Sequence, residues 1–176
     1  EGQVKRNLLT AALVFALAAH AQLKPPALKL KVGDMAPDFS LRSTTGQEVR
    51  LSDFRGKRNV VLAFFPAAFT GGCTKEVNGY QAGIQKFANM DTEVFAISTD
   101  NLPTLRHWAE EQKLSYPLLS DFMRNVSAQY GVLIPEAGLA YRTTFVIDKE
   151  GRIRHIEQGN SAIDPTGAEL ACSRLR

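Results

Sequence analysis

The sequence has 176 residues, a length that suits one domain with a sizeable core rather than several domains. Its formal net charge of +3 is small and spread along the chain, which argues against a nucleic-acid-binding protein. Two cysteines without a CxxC motif or a Cys/His cluster argue against a structural zinc site, and we predict no metal and no bound cofactor.

The start of the chain has the three parts of a secretory signal. Lys5 and Arg6 form a basic start, residues 8–19 are mostly apolar, and an A-H-A cleavage site ends at residue 21. The apolar stretch is shorter than the roughly 20 residues of a membrane-spanning helix. We therefore expect residues 1–21 to be removed on export to the periplasm or the exterior. The alternative is an uncleaved N-terminal helix on a cytoplasmic protein.

A proline-containing leader and a hairpin are predicted next. Residues 22–36 are expected to be an extended leader, and residues 37–176 a single domain. The domain begins with two short alternating strands at residues 38–42 and 48–51, which a turn at Thr45-Gly46 joins as a β-hairpin. The hairpin is therefore an N-terminal addition to the central sheet.

The central stretch predicts a buried strand, a turn and a helix. Six apolar residues, Val60–Phe65, form the strand, which ends at Pro66. A turn with two glycines follows, and a helical pattern begins at Cys73. This arrangement brings the first residue of the helix to the carboxyl end of a sheet, where open α/β sheets bind ligands.

Cys73 is accordingly the first candidate for a reactive residue. A thiol reacts as its thiolate, and the unpaired N–H groups and dipole at the start of a helix favour negative charge. The two glycines leave the approach to the sulfur open, and a turn brings the Thr70 hydroxyl towards the same volume. The alternative, common for a lone free cysteine, is a small buried hydrophobe.

The rest of the chain alternates strands and helices. The central strand, its helix and a strand at 93–97 form a βαβ unit, which implies parallel pairing. A helix with Pro103 in its first turn follows, with Trp108 on its packing face. The later predicted elements are a strand at 116–119, a helix at 121–130, an antiparallel hairpin of strands at 143–147 and 152–156, and a terminal helix after Asp164-Pro165.

The motif around the first cysteine resembles that of a known family. The segment from Pro66 through Thr70 to Cys73, PAAFTGGC, matches the P-x-x-x-[TS]-x-x-C signature of the peroxiredoxins, and Glu76 follows in the family's T-x-E. Arg142 begins a downstream R-x-T-F-V-I-D that also resembles the family. The resemblance covers most of the chain after the signal segment. It implies a thioredoxin-like α/β fold, with a mixed central sheet flanked by helices and the N-terminal hairpin as an extension.

The same resemblance implies a thiol-dependent peroxidase that reduces hydrogen peroxide and organic hydroperoxides. Cys73 would be the peroxidatic residue and would become a sulfenic acid. Arg142 would place a permanent cation beside the sulfur, and Glu76 would orient that cation. Thr70 and the Cys73 backbone N–H would hold the peroxide in line, and Pro66 would shield the sulfur from water.

The second cysteine, Cys172, is a candidate resolving thiol. It follows Cys73 by 99 residues and shares an apolar helical stripe with three other residues of the terminal helix, so the alternative is an inert packing residue. Asn78 occupies the position of the second cysteine in one peroxiredoxin subgroup, and the V-C-P tail of another is absent. The chain looks most like the one-Cys AhpE-type branch. That resemblance implies reduction by an external thiol or thioredoxin-like protein, and a homodimer.

Three other classes of protein are weighed against the peroxidase. A thioredoxin-type oxidoreductase shares the fold, but Thr70 stands where its first cysteine belongs. A cysteine hydrolase needs a histidine base, whereas His107 and His155 are both predicted on the surface. An exported, non-enzymatic binding module would hold Cys73 and Cys172 in a structural disulfide, which oxidising compartments favour.

Overall fold

The computed structural model describes residues 25–175, so the predicted signal segment lies outside the described residues. Nine strands and four α-helices succeed one another in this part of the chain. The strands are β1 Ser40–Ser43, β2 Glu48–Arg50, β3 Asn59–Phe64, β4 Thr92–Ser98, β5 Leu118–Ser120, β6 Leu133–Ile134, β7 Leu139–Ala140, β8 Thr143–Ile147 and β9 Ile153–Gln158. The helices are α1 Gly71–Asn89, α2 Leu102–Glu111, α3 Asn125–Gln129 and α4 Thr166–Ser173, with short 3-10 turns at Leu51–Phe54 and Gly159–Ile163.

Seven of the strands form one mixed sheet in the order β2-β1-β5-β4-β3-β8-β9. Strands β3, β4 and β5 run parallel, and the pairs on either side of them are antiparallel. The predicted βαβ unit and both predicted hairpins are therefore confirmed. Strands β6 and β7 pair separately as a small two-stranded sheet.

Strand β3 lies between two hydrophobic layers, which explains its unbroken apolar sequence. Val61 and Ala63 face the layer that includes α1, α2 and α4. Leu62 and Phe64 face the opposite layer, where Tyr130 packs against the Phe64 ring. Both faces of β3 are therefore covered, so this strand can be approached only at its ends.

The two long helices follow their predicted patterns. In α1 the predicted packing residues Val77, Tyr80 and Phe87 are buried. Helix α2 begins where the Asn101 side chain accepts a hydrogen bond from a backbone N–H, and its Trp108 is buried. Within residues 25–175 no helix is both long enough and apolar enough to cross a membrane.

Two predicted element bounds in the middle of the chain are wrong. The helix predicted at 121–130 is only α3, because Asp121 stays outside it and its carboxylate accepts hydrogen bonds from the N–H groups of Val126 and Ser127. Arg124 adopts a left-handed conformation with φ of 62°, which breaks the helical path before α3. The strand predicted to begin at residue 116 begins at residue 118 instead.

The described part of the leader packs against the domain. Leu28 and Leu30 are partly buried against the hydrophobic layer that contains Tyr130. The N–H of Gly33 donates to the carbonyl of Ile153 at 2.8 Å, next to the start of β9. Of the leader predicted at residues 22–36, residues 25–31 have no regular secondary structure and a turn follows at residues 32–33, where Gly33 has φ of 97°. Through Leu28 and Leu30 this segment contributes to the core.

Candidate active site

The site lies at the carboxyl end of β3, where the chain turns into α1. Cys73 is the third residue of α1, and its side chain is within the first turn as predicted. Only 1% of the residue is exposed, because it belongs to the hydrophobic layer beneath α1. The sulfur is therefore buried at the start of α1.

Arg142 reaches the sulfur from a second element. It directly precedes β8, whose first residue pairs with Phe64, so the antiparallel register brings Arg142 to the same end of β3. Its Nη2 donates to the Cys73 sulfur at 3.3 Å. The arginine side chain is only 11% exposed, so its charge is screened weakly by water.

Glu76 binds the other end of the same guanidinium. It lies one helical turn after Cys73, on the same face of α1, and its carboxylate pairs with Nη1 of Arg142. Glu76 is 1% exposed, so the pair is buried and the two charges balance each other. The orienting contact predicted for Glu76 is thus present in the structure.

Gly72 makes room for this arginine. A β-carbon at that position would lie 3.2 Å from Nη2 of Arg142 and 3.8 Å from the Ile163 side chain. Nothing lies within 4 Å of the corresponding position at Gly71. One of the two glycines therefore serves the approach of the guanidinium rather than the approach of a substrate.

Thr70 and Pro66 lie on the loop between β3 and α1. The Thr70 hydroxyl donates to the carbonyl of Ala67 at 2.9 Å, and the residue is exposed to solvent. Pro66 is half-buried. No hydrogen bond joins Thr70 to the sulfur among residues 25–175. The roles of these two residues towards a peroxide stay predictions.

Two further residues at this edge were not identified from the sequence. Phe69 has φ of 61° and is 51% exposed, with its ring centroid 6.0 Å from that of Trp108. Asp100 follows β4, and its carboxylate accepts a hydrogen bond from the N–H of Ala68 in the loop. Open α/β sheets bind ligands at the carboxyl ends of their strands, and this rule applied to β4 would have identified Asp100. Nothing in the sequence pattern distinguishes Phe69 from an ordinary core phenylalanine.

Cys172 lies far from the other cysteine. Its thiol sits beside Thr92, and burial raises its pKa to about 11. Thr92 pairs with Asn59 at the amino end of β3, five residues and therefore about 17 Å from the end where Arg142 lies. A disulfide needs α-carbons about 4.4–6.8 Å apart.

Both cysteines are free. The structural disulfide of the binding-module alternative is therefore not favoured, and a resolving role for Cys172 stays a prediction. The position of Cys172 on the packing face of α4 agrees with the inert alternative. Among residues 25–175, neither histidine weighed as a hydrolase base is hydrogen-bonded to the sulfur. His107 is exposed, with its ring centroid 6.2 Å from that of Phe69, and His155 lies 3.5 Å from the Glu157 carboxylate on β9.

The arrangement offers one nucleophile and a set of fixed hydrogen-bond donors. The sulfur can attack an electrophilic atom, and the arginine fork can bind negative charge that develops beside it. Within the part of the chain that the structure describes, no three His, Cys, Asp or Glu side chains form a metal site.

Comparisons with known proteins agree with this geometry. The model of the AhpC/TSA family matches residues 32–156. Alkyl hydroperoxide reductase E of Mycobacterium tuberculosis is 45% identical over 130 residues, which cover 73% of this chain and 85% of that protein. Peroxiredoxin Bcp of Escherichia coli is 37% identical over 133 residues, covering 72% and 85%.

A solved structure is similar over an even larger share of the chain. The crystal structure of peroxidoxin BcpB from Mycobacterium tuberculosis superposes with a TM-score of 0.76 at 38% identity, covering 84% of this chain and 97% of that one. A match of this extent, in both sequence and fold, shows that the chain belongs to the AhpC/TSA family of peroxiredoxins, with their thioredoxin-like fold and thiol-dependent peroxidase activity.

Proposed function

We propose that Cys73 is the peroxidatic residue and reduces hydrogen peroxide and organic hydroperoxides. Its sulfur attacks one peroxide oxygen, the O–O bond breaks, and the second oxygen leaves with a proton as water or an alcohol. The sulfur is oxidised to a sulfenic acid and the peroxide is reduced. The proposal rests above all on the 3.3 Å contact between Arg142 and the sulfur.

Each neighbouring group has a proposed task in this step. Negative charge spreads over the sulfur and both oxygens in the transition state, and the Arg142 fork stabilises it there. Glu76 fixes the plane of that fork through the second nitrogen. Thr70 and the Cys73 backbone N–H align the peroxide, and Pro66 excludes water from one side of the sulfur.

The sulfenic acid is proposed to be reduced by an external thiol, either a small molecule or a thioredoxin-like protein. The distance between Cys73 and Cys172 supports this one-Cys mechanism, because no second sulfur of the same chain is near. Family membership supports a homodimer as the working assembly. The name of the mycobacterial relative, alkyl hydroperoxide reductase E, supports organic hydroperoxides as substrates.

The deciding experiment follows the sulfur that gains oxygen. Wild type, Cys73→Ser and Cys172→Ser are treated with one equivalent of hydroperoxide and examined by intact mass and non-reducing gels. We expect wild type and Cys172→Ser to gain one oxygen and Cys73→Ser to gain none. Consumption of hydroperoxide by Cys73→Ser at the wild-type rate would refute the proposal.

We also propose that residues 1–21 direct export of the protein. The basic start, the apolar stretch and the A-H-A site support this proposal. Mass analysis of the N-terminal peptide from protein made in its natural host should find a chain that begins after residue 21. A natural product that retains residues 1–21 would contradict export by cleavage.

A further inference from the structure

One peptide group in the β3–α1 loop is held at both of its polar atoms. The group between Ala67 and Ala68 has its carbonyl oxygen bound by the Thr70 hydroxyl at 2.9 Å. Its N–H donates to Oδ2 of Asp100 at 2.8 Å. Asp100 and Thr70 are thus joined through a single rigid peptide plane.

Asp100 is itself fixed by the strand ends on both sides. The hydroxyl of Ser98, which is fully buried, donates to Oδ2 of Asp100 at 2.9 Å and accepts from the Asp100 N–H at 3.1 Å. The Ser120 hydroxyl donates to the Asp100 carbonyl at 2.6 Å. The carboxylate is therefore a rigid point of attachment for the loop at the carboxyl ends of β4 and β5.

This chain of bonds determines which way the Thr70 hydroxyl points. A hydroxyl has one proton and two lone pairs, and the Thr70 proton is used by the Ala67 carbonyl. A charged acceptor on the N–H side polarises the peptide and makes its carbonyl a stronger acceptor. The lone pairs of the Thr70 oxygen are left to accept a hydrogen bond, which suits the O–H proton of a hydroperoxide.

We propose that Asp100 is a positioning residue for the peroxidase reaction. It acts through the Ala67–Ala68 peptide to hold Thr70 as a hydrogen-bond acceptor for the incoming hydroperoxide. The inference rests on the proposed function of Cys73 and Thr70. It assigns to Asp100 no contact with the substrate or with the sulfur.

A double-mutant cycle tests the connection between Asp100 and Thr70. The variants are Asp100→Ala, Thr70→Val and the double variant, and the second-order rate of Cys73 oxidation by hydroperoxide is measured. We expect Asp100→Ala to slow oxidation about tenfold in the wild-type background. In the Thr70→Val background, Asp100→Ala should slow oxidation by less than about twofold, because the hydroxyl that Asp100 orients is absent.

Three controls separate positioning from general damage. Asp38→Ala removes a similar bond far from the site, since the Asp38 carboxylate accepts from the N–H of Ser52 at 2.9 Å, and it should leave the oxidation rate unchanged. Asp100→Asn keeps an acceptor oxygen and should stay within about threefold of wild type. Alkylation of Cys73 by iodoacetamide needs no oriented hydroperoxide and should change less than about twofold in Asp100→Ala.

The outcomes distinguish the two proposals. Equal slowing by Asp100→Ala in both backgrounds, or an alkylation rate that falls as far as the oxidation rate, would overturn the role of Asp100. A wild-type Cys73 that hydroperoxide does not oxidise would overturn the proposed function instead. If Asp100→Ala does not fold, Asp100→Ser, whose side chain is too short to reach the Ala68 N–H, replaces it in the same cycle.

Discussion

Arg142 donates one hydrogen bond to the Cys73 sulfur and another to the Glu76 carboxylate. A single planar guanidinium thus contacts both the proposed nucleophile and the carboxylate that orients the guanidinium. A lysine ammonium is a point charge and cannot present two donors in one fixed plane. The site therefore depends on the shape of the guanidinium as well as on its charge.

The first prediction concerns this shape. We expect Arg142→Lys to slow oxidation of Cys73 by hydroperoxide about 100-fold, a loss of the size seen when one fixed transition-state donor is removed. Stopped-flow measurement of the oxidation rate checks it. Arg58→Lys is the matched control, because Arg58 pairs with Glu93 at an exposed site and its replacement should not change the rate. A rate for Arg142→Lys within a few-fold of wild type would contradict the requirement for the fork.

At the scale of single residues, the sequence identified the proposed reactive cysteine and the arginine beside it, but not all of the residues that support them. Cys73 and Arg142 stand in recognisable motifs, so both could be named before their contact was known. The role of Asp100 depends on a hydrogen bond between residues 32 positions apart, and the φ of Phe69 depends on the path of the loop. Neither property is encoded in a local pattern.

Among the elements, helix α4 places a thiol in the core. Burial raises the pKa of Cys172 to about 11 from an ordinary value of 9.0. As the pH rises, the unfolded chain loses this proton first, while the folded protein keeps it. The stability contributed by the protonated thiol is complete below about pH 9 and falls by about 2–3 kcal/mol by pH 11.

The second prediction is a difference in alkaline stability between two chains. The free energy of unfolding in urea should fall more steeply between pH 9 and 11 in wild type than in Cys172→Ala. Burial also raises the pKa values of Tyr80 and Tyr130, so both chains lose some stability at the alkaline end, and only their difference reports Cys172. Ser173→Ala, at an exposed neighbouring position, should follow wild type. Parallel curves for wild type and Cys172→Ala would contradict the prediction.

The elements themselves were predictable where their periodicity is local and strong. Strand β3, helix α1 and the β8–β9 hairpin follow their sequence patterns closely. Helix α3 does not, because the Asp121 side chain binds two backbone N–H groups of the next turn and stops the helix from starting earlier. An aspartate in that position is compatible with either arrangement until its surroundings are known.

For the molecule as a whole, the sheet joins strands that are distant in the chain. The N-terminal hairpin enters the sheet because β1 pairs with β5, whose residues follow it by more than 70 positions. The segment before the hairpin also adds to the core through Leu28 and Leu30. Such non-local packing has no signature in the sequence of either partner, which is why the leader was predicted as a separate segment.

The third prediction tests the contribution of that segment to stability. A chain that begins at residue 32 should be less stable than one that begins at residue 25 by about 1–3 kcal/mol, because it lacks two partly buried leucines. Urea unfolding of both chains measures the difference. The substitutions Leu28→Ser and Leu30→Ser in the longer chain should reproduce most of it. Equal stability of the two chains would show that the leader does not stabilise the domain.

The separation of the two sulfurs along the length of β3 also bears on how fast the protein can be reduced again after each turnover. Under the proposed one-Cys mechanism, an oxidised Cys73 has no second thiol of its own chain near it, so its recovery would be a bimolecular reaction with another molecule. The fraction of protein in the oxidised state then follows the ratio of peroxide to reductant in the surrounding fluid. Where reducing molecules are scarce, this mechanism would remove one peroxide per chain before stopping, so the capacity would be set by the number of chains.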